Sequence, residues 1–300
     1  MSETTEQLEV TVQNTDTTIG GVEAAVAETE TTTEAGHEPT LFAEPIAHLG
    51  GFTVTNSLLN SWLAVAIICL LAFFVSRKVK QIPRGIQNVF EIVVDGAMKL
   101  ADSVTGKRAI TEKIFPFVFT LFLFVLINNW LGLIPGIGSI GFLEMEEGHE
   151  IFVPLFRGGT ADLNTTLALA IFTVIGSNVF GILIVGGWKY FNKFVNVQAL
   201  VAIPGKVIKE PTSIIVNPIK FFVGIIEIIG EVAKIASLSF RLFGNIFAGE
   251  VLLASMAVIF AFVLPIPFMF LEIIVGLIQA LIFSMLTLVY FSVAASSEEH

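Results

Sequence analysis

From Leu58 to Val75 the chain carries no charged residue, and two further uncharged stretches follow at roughly Phe115–Ile134 and Leu163–Gly187. Each is close to the ~20 apolar residues that a helix needs to cross a hydrocarbon core of ~30 Å. Such runs leave little choice of solvent, and the composition agrees. Hydrophobic residues make up 54% of the chain and charged residues 14%, with a mean hydropathy of +0.84, far from the balance of a soluble domain. The single cysteine, Cys69, lies inside an apolar run. It excludes a disulfide framework and a thiolate metal site, and reads as a small buried hydrophobe.

Residues 1–38 are rich in Thr, Glu and Ala and nearly lack aromatics. They offer too little apolar surface to offset the entropy of ordering, so a disordered acidic tail is expected, followed by one membrane domain over 39–300. Ten acids and no Lys or Arg precede residue 57, a pattern that excludes a conventional secretory signal with its basic start.

Residues 84–106 differ from the spans. Ile86, Val89, Phe90, Val93, Val94, Ala97 and Leu100 recur at helical spacing, with Glu91, Asp95 and Lys99 on another face. That pattern predicts an amphipathic helix at the membrane surface or against a partner.

Basic residues are segregated. Arg77, Lys78, Lys80, Arg84, Lys99, Lys107, Arg108 and Lys113 fill the first connection, and Lys189, Lys193, Lys206, Lys209 and Lys220 the third, against Glu210. The second connection, 136–162, holds only Arg157 against Glu144, Glu146, Glu147, Glu150 and Asp162. By the positive-inside rule the N-terminus is expected outside and the C-terminus in the cytoplasm.

The C-terminal third is longer than a simple span. No proline separates Pro218 from Pro265, and Pro218 suits a first helical turn. Residues 219–264 as one helix would extend roughly 69 Å, more than twice the hydrocarbon thickness. The stretch must either break near Gly230, Gly244 or Gly249 or lie steeply tilted. Leu264-Pro-Ile-Pro267 reads as a tight turn, and 268–295 as the returning helix. The expected fold is therefore an all-α polytopic membrane protein. It has about five membrane-embedded helices, one amphipathic interfacial helix and a long tilted C-terminal hairpin that wraps another object in the membrane.

Polar residues in that hairpin are arranged, not scattered. Glu227, Lys234, Arg241 and Ala248 are seven apart and drift slowly around one face, bordered by Ser237, Gly244 and Asn245. Glu250 falls about 180° away at 100° per residue, towards the returning helix, where Glu272 and Gln279 are again seven apart. An arginine at the bilayer centre costs ~3 kcal/mol on insertion scales and more than ~10 in simulation, so Arg241 is read as functional. Two carboxylates, an amide and an arginine at different depths read as an ion path. Asp162, in Asp-Leu-Asn-Thr, also suits a helix cap. Asn128-Asn129-Trp130 reads as helix packing with an interfacial anchor.

The run Lys234-Ile-Ala-Ser-Leu-Ser-Phe-Arg-Leu-Phe-Gly-Asn-Ile-Phe-Ala-Gly-Glu250 resembles the signature of subunit a of the F-type ATP synthase. Gln279-Ala-Leu-Ile-Phe-Ser-Met-Leu-Thr-Leu-Val-Tyr290, the terminal Ser-Glu-Glu-His and Ala161-Asp-Leu-Asn-Thr-Thr166 are similar to the same family, so the likeness covers about residues 41–300. The resemblance implies a proton-translocating stator subunit of the membrane sector, with two offset half-channels separated by Arg241 facing the carboxylates of a c-ring. It further implies that Asn245, Glu250, Glu272, Gln279 and Asp162 belong to the outer half-channel and Glu227 to the inner one, with Lys234 at a position where many bacterial members carry lysine. Other implied partners are the b subunits of the peripheral stalk and membrane lipid, in a bacterial plasma (inner) membrane. Ile235 departs from the proline common after that lysine. Glu272 departs from members that carry histidine there.

Other classes fit less well. A self-contained secondary ion transporter also places charges at mid-membrane, but no internal repeat accompanies them here. The chain has no Walker loop and no His-Glu-x-x-His, and His37, His48, His149 and His300 are scattered. A non-catalytic channel subunit is expected, with no cofactor and no nucleic-acid partner. The whole complex would be the H+-transporting two-sector ATPase, its nucleotide chemistry on other subunits.

Overall fold

The computed structural model describes residues 40–77, 85–146, 149–188, 190, 213–260 and 263–296. The expected tail at 1–38 lies outside the described residues, as do Lys78, Lys80, Arg84, Lys189, Lys193, Lys206, Lys209 and Glu210. Among the described residues six α-helices dominate: α1 (Asn56–Ser76), α2 (Ile86–Thr105), α3 (Arg108–Gly132), α4 (Leu163–Val185), α5 (Ser213–Ile259) and α6 (Pro265–Ser296). All but α2 are long and apolar enough to cross a membrane. Helices suit lipid because each span satisfies its own backbone N–H and C=O groups. The protein is an all-α polytopic membrane protein.

Local chemistry sets the helix ends. Thr55 Oγ1 accepts from the Leu58 amide at 3.3 Å and caps α1. Helix α3 begins at Arg108, seven residues before the apolar run. Arg108 bonds to Asp102 at 2.5 Å and to Glu112 at 3.0 Å, so the charged first turns are held outside the apolar stretch. Pro265 and Pro267 lie in the first turn of α6 and do not form the turn before it, as expected of a residue with fixed φ and no N–H.

Helix α5 is one continuous helix of 47 residues, so the break considered near Gly230, Gly244 or Gly249 does not occur. It starts at Ser213, five residues before Pro218. Helix α2 has the expected amphipathic form, ended by Gly106 in the left-handed region at φ 66°. Only part of its apolar face packs inward. Val94, Ala97, Met98 and Ala101 meet α3 and α6, whereas Val89, Val93 and Leu100 stay exposed. Cys69 is also exposed on α1 and is not buried within the chain.

Two short hairpins were not anticipated. Strands β1 (Pro45–Leu49) and β2 (Phe52–Thr55) pair antiparallel across Gly50 (φ 56°) and Gly51 (φ 100°), a turn that needs positive φ at both central residues. Strands β3 (Gly141–Glu146) and β4 (His149–Pro154) pair with each other.

Helix α6 is central, packing on α3, α4, α5 and α2. One buried cluster joins Leu121, Val125, Ala170, Leu238, Leu242 and Phe283, and another joins Ile114, Val118, Leu288 and Phe291. Polar contacts also tie the helices together, as is common where lipid removes the hydrophobic drive for association. Asn60 and Ser61 both donate to Asn128 Oδ1 at 3.4 Å. Asn129 donates to Gly276 O at 3.0 Å and Trp130 to Ile273 O at 3.1 Å, so these two pack α3 on α6 while Asn128 packs it on α1.

At Gly132 the end of α3 meets the 157–162 loop. A Cβ there would lie 3.0 Å from Gly158 Cα, a backbone atom with little room to yield. Gly132→Val should therefore destabilise the protein by ~1–3 kcal/mol through overpacking. Gly138→Ala, built into open space, should leave the thermal midpoint in detergent unchanged.

Candidate functional site

Three groups of polar residues lie along the α4–α5–α6 face. The first is the stripe on α5. Ser237, Arg241, Gly244, Asn245 and Ala248 are exposed and Lys234 is half-buried, whereas Leu238, Ser239, Leu242, Phe243 and Ile246 are buried on the other side. Arg241 Nη2 donates to Ser237 Oγ at 3.3 Å, and among the described residues it forms no ion pair. The chain thus presents a permanent cation outward from an apolar helix and leaves it uncovered. Asn245, one turn on, donates to Gln279 Oε1 at 2.6 Å, while Gln279 Nε2 is buried without a partner.

The second group lies towards the α5–α6 turn. Glu250 and Glu272 line a common cavity of about 200 Å³ with Asn129, Gly132, Gly158 and Ala161. Glu272 is 6% exposed, its Oε1 is unpartnered, and its carboxylate lies against Gly249, where any side chain would collide with it. Glu250, as its angular position requires, points away from the Arg241 stripe. It meets Arg157, whose guanidinium donates from Nη2 at 2.9 Å and from Nε at 3.0 and 3.3 Å. Arg157 is 3% exposed and gives its remaining donors to Thr40 O, Thr40 Oγ1 and Phe42 O. Asp162 stands apart from the cavity. It caps α4 by accepting from the amides of Asn164 and Thr165, and it also accepts from Thr165 Oγ1, Ser57 Oγ and the Ala43 amide.

The third group lies on α5 towards Ser213. Glu231 pairs with Lys234 at 2.7 Å and accepts from Asn178 Nδ2 at 3.2 Å. Tyr190 donates to Asn178 Oδ1 at 2.5 Å, and Lys234 Nζ sits 5.3 Å from the centre of the Tyr290 ring. Burial, with the charges of Glu231 and Glu227 nearby, pushes the Tyr190 phenol up to about 12. Glu227 is half-buried one turn beyond Glu231.

Of the residues singled out in the sequence, Asn245 and Gln279 meet directly, and Glu250 and Glu272 share a cavity. Lys234 and Arg241 share a stripe with no contact between them. Arg157, Glu231, Asn178 and Tyr190 escaped the sequence reading. Glu231 had a usable signal, three residues before Lys234 and four after Glu227. Arg157 had a weaker one, as the lone base of an acidic connection.

Loss of the Asp162 cap should cost ~1–2 kcal/mol in Asp162→Ala. Asp162→Asn, which keeps an accepting oxygen, should retain most of that stability. Thermal unfolding of the two variants in detergent checks this.

Residues 58–292 match the family model described as ATP synthase A chain. Three proteins named ATP synthase subunit a are among its relatives. The Syntrophobacter fumaroxidans protein is 31% identical over 83% of this chain and 88% of its own. The Mycobacterium marinum protein is 33% identical over 83% of this chain and 90% of its own. The Moorella thermoacetica protein is 31% identical over 82% of this chain and 94% of its own. The motif around Arg241, the five apolar helices and a family match across most of the chain agree, and the chain belongs to the ATP synthase A chain family.

Proposed function

We propose that this chain is the stator channel subunit of an F-type ATP synthase, carrying protons between the two sides of a bacterial plasma membrane and a c-ring. The observation that carries the reading is the uncovered stripe of α5. It has a guanidinium at its centre, small residues beside it and, among the described residues, no carboxylate paired with it. In lipid such a face needs a partner, and the partner must bring negative charge at mid-membrane depth. Acidic side chains on a rotating ring meet that need.

A ring carboxylate has to be neutral to pass through lipid, because an isolated buried charge is prohibitive. Beside Arg241 it is favoured as the anion, since an opposite charge within ~4–6 Å stabilises the ionised form. Arginine suits the post because it does not lose its proton on desolvation, as lysine can. The fixed cation also blocks a direct leak between the half-channels. Each proton moving through 100 mV is worth about 2.3 kcal/mol, which becomes torque only if that leak is closed.

In this reading Asn245, Glu250, Glu272, Gln279 and Asp162 border the outer half-channel, and the cavity beside Glu272 is its vestibule. Glu227 serves the inner half-channel, with Lys234 near its mouth. The N-terminus lies outside and the C-terminus in the cytoplasm. Residues 39–300 act as one membrane domain with the α5–α6 hairpin steeply tilted along the ring. The b subunits of the peripheral stalk hold the chain against rotation, and nucleotide chemistry resides elsewhere in the complex.

Cysteine crosslinking between positions 234–248 and a co-expressed c subunit, in a Cys69→Ser background, tests the face directly. Crosslinks recurring every three to four or seven residues around Arg241 are expected; silence along the stripe in an assembled complex rejects it. Arg241→Ala should abolish ATP-driven proton pumping in membrane vesicles. Pumping at the wild-type rate would remove Arg241 from the path.

A further inference from the structure

Arg157 and Glu250 are 93 positions apart and meet through three N–O contacts of 2.9–3.3 Å. Both oxygens of Glu250 are used by one guanidinium. That guanidinium is buried, and its other donors are taken up by the backbone and hydroxyl oxygens of Thr40 and Phe42. Glu272, across the same cavity, is the opposite case. It is buried, has an oxygen with no partner, and no cation of the described chain is paired with it. Two carboxyls that read as equivalent in the sequence therefore stand in unlike settings.

We infer that Arg157 and Glu250 form a fixed ion pair that walls the cavity, and that Glu272 is the carboxyl that exchanges protons there. The inference rests on the channel reading given above and divides the labour within it. Glu250 is about 29% exposed but Arg157 is buried, so removing the charge of Glu250 would strand the arginine's, and breaking such a pair on the buried side is costlier than replacing both partners together. Arginine itself does not give up a proton to compensate. Glu272 has no such tie. The cavity is large enough for several waters at about 30 Å³ each. A proton from hydronium in such water adds to the free oxygen of Glu272 and passes on, through water, to a ring carboxylate, so the residue returns to its starting charge each cycle. Gly249 leaves the space that this carboxyl occupies. Arg157 is a positioning residue in this scheme. It also clamps the segment at Thr40–Phe42 onto α5.

The test uses membrane vesicles carrying the whole complex, stripped of its catalytic sector, with passive proton flux read under an imposed potential and normalised to assembled complex. Arg157→Ala and Glu250→Ala should each lower the flux about tenfold or more, and the exchanged pair Arg157→Glu with Glu250→Arg should return it to within about threefold of wild type. Glu272→Gln should lower flux about tenfold in both the wild-type and exchanged backgrounds. An assembled exchanged pair as inactive as the single variants would overturn the inference, as would full flux in Glu272→Gln.

A second measurement needs no variant. A hydrophobic carbodiimide, to which protonated carboxyls add, should label Glu272 in the intact complex and leave Glu250 unlabelled by mass spectrometry. Equal labelling of the two, or labelling of Glu250 alone, overturns the inference even if the variants fail to assemble. Absence of proton flux in the wild-type complex is a different result and counts against the channel reading itself.

Discussion

A guanidinium that keeps its charge, set in the middle of a helix made for lipid, governs the architecture around it. Arg241 receives one hydrogen bond acceptor from its own helix and no countercharge from the described chain. Its surroundings on α5 suit an exposed cation. Small side chains flank it, the amide of Asn245 reaches across to α6, and the acids stand at least two turns away along the helix. The buried side of α5 carries Leu238, Leu242 and Phe243, so the cation cannot turn inward without displacing the core. The fold holds a charge at a surface where it is unfavourable alone, and in the proposed function its neutralisation falls to another molecule.

The interior that supports this is only partly apolar. Asn60, Ser61, Asn128, Asn129 and Thr160 are buried and bonded to one another or to backbone carbonyls. A soluble protein would find such a cluster costly. In a membrane the competing state offers these groups no water either, and their bonds fix which helices meet. Close backbone approaches do the rest, as at Gly132 against Gly158, which sets the loop bearing Arg157 beside the end of α3.

Much of this was legible in the residues. Hydropathy marks all five spans because lipid imposes one length and one chemistry, and the seven-residue recurrence marks the Arg241 face because it nearly matches two helical turns. The α5 stretch was ambiguous because glycine is compatible with both a break and a straight run in lipid, and the continuous helix resolved it. The β1–β2 hairpin had its Gly50-Gly51 signal but sits beside a strong helical pattern that overshadows it. Arg157 with Glu250 was not readable. Helical periodicity gives the direction a side chain faces within its own element, and it carries no information about which distant loop will meet it. The same holds for Tyr190 and Asn178 beside Glu231.

The continuity of α5 has a mechanical consequence. A rod of 47 residues with no hinge cannot absorb sideways force by folding at one point. Among the described residues it packs chiefly on α4, on α6 and on the Gly159–Ala161 turn. If a rotor sweeps past its open flank, the thrust is taken in compression against those neighbours and distributed along the whole length of the rod. The arginine then keeps its depth and azimuth while load passes under it, and the elasticity of the machine has to reside in other parts.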